Sequence, residues 1–131
     1  MPEPRGDQLA SSLPRNYMRS CILLLLREEP AHGYDLLQRL RPLGFERDDP
    51  GRLYRALRWL EGEKLVRSTW EPSETGPDRR RYELTRAGVE QLHDEAKALH
   101  ALRDTLGGFA ARYEEFVALH PARGRRPAAS R

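Results

Sequence analysis

Arg52, Arg55 and Arg58 recur every third residue, and Arg79, Arg80 and Arg81 follow one another without a break. A guanidinium is planar, permanently charged and carries a fork of donors that matches phosphate oxygens and the paired acceptors on guanine. Tyr54 lies within the first cluster, and Tyr34 precedes it with a hydroxyl of the same kind. The chemistry these side chains offer is non-covalent: charge-assisted hydrogen bonds to a polyanion. Arg55 is expected nearest the base edges of a duplex, with Arg52 and Arg58 partly on its backbone. The bland alternative is a solvated helix face.

Catalytic and metal chemistry find little support. His32, His93, His100 and His120 do not form a cluster by spacing, although His93 and His100 share one helical face. Ser11, Ser12 and Ser20 have no evident base partner. There is no Gly-rich phosphate loop, and the single cysteine, Cys21, allows no disulfide or cysteine-based zinc site within one copy. No cofactor, no metal and no enzymatic activity are expected.

The arginines need elements to position them. The third predicted helix, 50–61, has the clearest start: Asp49 as cap and Pro50 at the first helical position. Leu53, Leu57 and Leu60 recur at i, i+4, i+7 and face a core, which turns Arg55 nearly opposite and leaves Arg52 and Arg58 on the flanks. Gly62 is expected to end it. Tyr54 and Trp59 fall on opposite flanks, Trp59 as a packing residue. Two strands follow, 65–70 and 80–84, joined by a loop over 71–78 that is too long for a tight hairpin turn. In a regular strand Arg79, Arg80 and Arg81 cannot all face one way, so one or two of them reach DNA.

Two shorter helices precede this unit. The first, 14–28, carries Met18, Cys21, Ile22 and Leu25, widened by Leu23, Leu24 and Leu26, and is therefore packed on more than one face. The second, 33–42, buries Leu36, Leu37 and Leu40 and stops at Pro42 and Gly44. Thr85 is the expected cap of a final helix running to about 119. From Leu99 its apolar residues continue through Leu102, Leu106, Phe109, Tyr113 and Phe116, with spacings alternating 3, 4, 3, 4, 3. That heptad seam persists across Gly107 and Gly108 and suits a second helix. Either the seam packs on the first helix of its own chain or it joins two chains.

Composition agrees with a small unit that gains from a partner. The 131 residues are 38% hydrophobic, and mean hydropathy is -0.79, so the core one copy closes is modest. The net charge of +3 is uninformative, but basic residues gather at 50–67, 78–86 and in the tail, while Glu90, Asp94, Glu95, Glu114 and Glu115 lie elsewhere. The longest apolar run, 21–26, is far short of a membrane span. With no apolar leader at the N-terminus, a cytoplasmic protein is expected.

In sequence order, the apolar run ILLLL at 22–26, PAHGYDL at 30–36, GRLYRALRWLE at 51–61 and GPDRRRYELTRAG at 76–88 resemble the PadR family of bacterial winged-helix transcriptional regulators. The resemblance spans nearly all of 14–88. The residues themselves give a mainly α fold with a small β-hairpin: a flexible polar arm at 1–12, a winged helix-turn-helix at 13–85, a dimerisation helix at 86–120 and a disordered basic tail at 121–131, and the resemblance agrees over the part it covers. The resemblance implies a homodimeric repressor of the short-tailed subclass, and two copies joined through the last helix would set their reader helices on a palindromic operator in double-stranded DNA. Some such regulators release DNA when a phenolic acid or a flat cationic drug binds, others have no known ligand, and those that bind drugs use a cavity between the subunits lined by the first and last helices. By that similarity Tyr17, Cys21, Phe109 and Tyr113 are candidates to line a pocket for a small aromatic effector, dimer-core packing being the plainer reading. The family commonly has Thr where this chain has Arg52, so sequence preference does not carry over. A winged helix used only for protein contact is the competing reading.

Overall fold

The computed structural model describes residues 12–121. Along the chain run α1 (Tyr17–Glu28), β1 (Ala31–His32), α2 (Gly33–Leu40), a 3-10 turn (Arg41–Leu43), α3 (Pro50–Gly62), β2 (Val66–Glu71), β3 (Arg79–Leu84) and α4 (Arg86–Leu119). It divides into two compact units, the first ending at Glu95 and the second beginning at Ala96. The expected arm at 1–12 and tail at 121–131 fall, apart from Ser12 and Pro121, outside the described residues.

In the first unit, α1, α2 and α3 enclose a core closed by the sheet. Ile22 and Leu23 from α1, Leu36 and Leu40 from α2, and Leu53, Leu57 and Leu60 from α3 are all essentially inaccessible, joined by Val66 and Tyr82. Leu24 is the member of the α1 run that faces outward. Leu37, expected in the buried face of α2, is only partly covered.

Local chemistry explains the helix boundaries. The Asp49 carboxylate accepts the Arg52 backbone N–H at 3.0 Å, with Pro50 behind it at the first helical position. The Thr85 hydroxyl oxygen accepts from the Gly88 N–H at 3.0 Å and its hydroxyl donates to the Lys64 carbonyl at 2.7 Å. One residue thus caps α4 and fixes it to the end of α3. Gly62 does not supply the turn that ends α3; it is the last helical residue, and Lys64 takes the left-handed conformation, φ 62°. Lys64 N–H then donates to the Glu61 carbonyl and Leu65 N–H to that of Leu60, each at 3.0 Å, the paired closure of a Schellman motif with lysine where glycine is usual. Gly44, φ 113°, ends the 3-10 turn in the same way.

The sheet has three strands rather than two. β1 pairs with β3 (Ala31 opposite Tyr82), giving the antiparallel order β1-β3-β2. Two residues carry no periodicity, which is why β1 is invisible in the sequence; β3 supplies its partners. Between β2 and β3 the register pairs Val66 with Leu84, Ser68 with Tyr82 and Trp70 with Arg80.

Candidate nucleic-acid interface

Helix α3 presents two chemically opposite sides. Leu53, Ala56, Leu57 and Leu60 are buried, while Arg55 and Arg58 are exposed. Among the described residues neither guanidinium has a carboxylate within ion-pair distance. Arg52 is half-buried, its guanidinium 5.5 Å from the Phe45 ring. Trp59 lies beneath the Arg19 guanidinium, 3.8 Å from the ring centre. Beside the first half of α3, Arg15, Arg19, Arg47, Arg52 and Arg55 border an open concavity of about 1060 Å³ that also holds Glu46 and Asp49.

On the other flank, Tyr54 leans over the start of α2. A Cβ added at Gly33 would sit 2.2 Å from the Tyr54 hydroxyl oxygen. A side chain at position 33 would have to push the Tyr54 ring aside, so glycine lets that ring rest against the N-terminus of α2. Sequence reasoning missed this role; a glycine inside an otherwise good helical segment was the available signal. Tyr34, the next residue, is 68% exposed.

The wing sorts its three arginines by parity. Trp70, Arg80 and Tyr82 share the face of the sheet that carries buried Val66, whereas Arg79, Arg81 and Glu83 share the opposite one. Arg80 is held on its face: its Nε donates to the Ser68 hydroxyl oxygen at 2.9 Å, a terminal nitrogen lies 3.5 Å from Glu61 of α3, and the guanidinium lies 5.4 Å from the Trp70 ring. On the opposite face Arg81 sits between Glu71, at 3.5 Å, and Glu83, at 3.9 Å, and Arg67 pairs with Glu83 at 2.6 Å. The same Glu71 lies 2.8 Å from His32 Nε2, which links the base of the wing to the start of α2. Arg79 is exposed and, among the described residues, has no ion pair. Of three adjacent arginines, two are spent holding the hairpin and one is free.

The remaining candidates lie in different places. Cys21 is 4% exposed within the first unit, where burial pushes its thiol up to about 11. Tyr17 stacks on Phe45 at 5.7 Å and donates its hydroxyl to the Leu43 carbonyl at 3.0 Å. Burial, then hydrogen bonding with Cys21, pushes it up to about 12. Phe109 and Tyr113 belong to the second unit. There the seam is open to solvent: Leu106 is 59%, Phe109 73%, Tyr113 56% and Phe116 57% exposed, with Leu102 less so and Leu99 half-buried. Among the described residues no group of His, Cys, Asp or Glu is placed to hold a metal, and no helix is long and apolar enough to cross a membrane.

Residues 22–94 match the profile of the transcriptional regulator PadR-like family. The chain belongs to that family. Its fold accords with solved PadR-like structures. A PadR-like transcriptional regulator from Bacillus cereus is 29% identical, over 73% of this chain and 93% of that one, with a TM-score of 0.65. A PadR-like transcription factor from Bacteroides fragilis is 28% identical, over 79% and 99%, with a TM-score of 0.62. Bacillus subtilis PadR, solved in complex with operator DNA, is 27% identical over 63% of this chain and 48% of its own, with a TM-score of 0.57. No curated protein matches. This PadR-like chain is a DNA-binding transcriptional regulator with a winged helix-turn-helix fold, and members of the family are regulators, not enzymes.

Proposed function

We propose that the protein acts as a homodimer, pairing through the seam of α4, and represses nearby genes from a palindromic operator. The observation that carries the reading is the outer side of α3, where Arg55 and Arg58 stand exposed and unpaired beside a wing whose Arg79 is equally free. In this reading Arg55 meets base edges, Arg52 and Arg58 serve the flanking backbone, and Arg79 with the Tyr34 and Tyr54 hydroxyls grips phosphates. Arg80 and Arg81 act indirectly, by holding the wing in shape. Four exposed apolar side chains on one helix stripe support a second copy as the partner that covers them, since leaving them in water forgoes about 1.5–3 kcal/mol for each large side chain. A twofold dimer would set its reader helices about 34–36 Å apart, one turn of duplex. Bacillus subtilis PadR, solved in complex with operator DNA, supports duplex DNA as the partner of this chain.

Release by a small aromatic effector completes the proposal. The open rings of Phe109 and Tyr113 support it; Cys21 and Tyr17 support it less, because packing inside the first unit already occupies them.

Binding of genomic duplexes, followed by gel shift across a salt series, tests the reading. Arg55→Ala should cost about 1–3 kcal/mol on the preferred site and far less on random duplex, whereas Arg79→Ala should weaken both alike and lower the salt slope by about 1. Equal losses for Arg55→Ala on the two duplexes would remove it from the bases. No salt-dependent duplex binding would leave a module for protein contact.

A further inference from the structure

Trp70 is the aromatic residue that the DNA reading leaves unused. It stands at the end of β2, directly opposite Arg80, on the sheet face that further inward carries buried Val66 and Tyr82. The strands carry this face past the end of the core: along β2 Val66 is buried, Ser68 half-buried and the Trp70 indole 64% exposed. Its ring forms one wall of a cleft of about 400 Å³, shared with Tyr34, Tyr54, Tyr82, Arg79 and Arg80. The cleft therefore joins the reader helix, through Tyr54, to the wing, through Arg79.

We propose that this cleft seats the sugar–phosphate backbone of one DNA strand as it passes from α3 to the wing, with a deoxyribose against the Trp70 indole and the adjoining phosphate at Arg79. The inference rests on the DNA-binding reading above and adds a contact to it. Three observations select this occupant. The cleft takes Tyr54 of α3 into its wall, one helical turn before exposed Arg58. Its walls alternate aromatic faces with cationic and hydroxyl groups, which suits a chain of alternating sugars and phosphates. Finally, Arg80 is already engaged by Glu61 and Ser68 and Asp78 also borders the cleft, so a small free anion would find only Arg79 unpaired. Arg80 is a positioning residue: by lying over the indole it holds the ring in place, tied to α3 through Glu61.

The chain has two tryptophans, so Trp59→Phe leaves Trp70 as the sole indole reporter. The probe is a random-sequence 30-base-pair duplex at low salt, because a backbone contact does not depend on base identity; the length is about three turns. Duplex binding is followed by anisotropy, and exposure of Trp70 by acrylamide quenching in the same samples. The expected result is that the duplex shields Trp70, that linear polyphosphate of equal charge does not, and that Trp70→Ala weakens duplex binding about three- to tenfold while Trp70→Phe largely restores it. Duplex binding without shielding would overturn the Trp70 contact and leave the DNA reading intact. Equal shielding by polyphosphate would overturn the sugar contact in favour of charge alone. Absence of any duplex binding would overturn both.

Discussion

Helix α3 and the distal half of α4 have similar apolar spacing and opposite fates. On α3, Leu53, Leu57 and Leu60 recur at three- and four-residue intervals and are at most 1% exposed. On α4, Leu106, Phe109, Tyr113 and Phe116 recur at the same intervals and are more than half exposed. A periodic stripe establishes that a helix has an apolar side; it does not establish what covers that side. For α3 the cover is the rest of the first unit, so its stripe serves folding and its opposite side is left for recognition. On the second unit the stripe is exposed among the described residues, and secondary structure alone holds an isolated helix only marginally, so the proposed dimer is what would cover it.

The sharpest way to break the contrast is to truncate one side chain in each stripe. Leu57→Ala removes a fully enclosed side chain and should lower the stability of the first unit by about 2–5 kcal/mol, read by denaturant unfolding. Phe109→Ala should leave that unfolding transition where it is and instead weaken self-association by about 2–4 kcal/mol, read by sedimentation. An unchanged sedimentation profile, or a fall in stability matching that of Leu57→Ala, would erase the distinction between the two helices.

Gly88 tests how firmly α4 is anchored at its start. A Cβ there would lie 2.1 Å from the Leu65 carbonyl oxygen and within 3 Å of Leu84. Because a backbone atom cannot swing aside, Gly88→Ala should cost about 1–3 kcal/mol in thermal unfolding despite the better helix propensity of alanine. Gly107→Ala, where an added Cβ meets nothing within 4 Å, should stabilise its helix by up to about 1 kcal/mol. A stabilised Gly88→Ala would show that the junction is loose.

The smallest effect expected is an alkaline one, confined to the first unit. Burial favours the neutral forms of Cys21, raised from 9.0 to about 11, and Tyr17, raised from 10.0 to about 12. The unfolded chain therefore loses these protons first, and stability that is fully present below about pH 9 declines as pH rises through 9–11 for Cys21 and 10–12 for Tyr17. Cys21→Ala should remove the earlier part of the decline in a pH series of unfolding midpoints. A decline that begins below pH 8 would point to other groups.

Most of what governs the elements could be read in the residues. Asp49–Pro50 and Thr85 mark helix starts by the same hydrogen-bond logic that the folded chain uses. Gly62 is the last residue of α3, as expected, whereas the left-handed conformation beyond it falls to Lys64, held there by the bonds to Leu60 and Glu61. The three wing arginines were legible as a cluster but not as a division of labour. Which of them is free depends on Glu61, Ser68, Glu71 and Glu83, brought in from another helix and from both strands.

Taken alone, the order of residues determined what depends on near neighbours: the caps, the apolar stripes, the arginine face of α3 and the family to which its motifs point. Only tertiary structure decided what depends on distant ones: the added strand at Ala31–His32, the seat of Tyr54 on Gly33, and the pairing that ties Arg80 and Arg81 down while Arg79 stays free. The physical reason is one of range. Caps and periodicity act over three or four residues, within reach of a pattern in the chain, whereas an ion pair or a close backbone approach joins groups whose separation along the chain has no fixed relation to their separation in space.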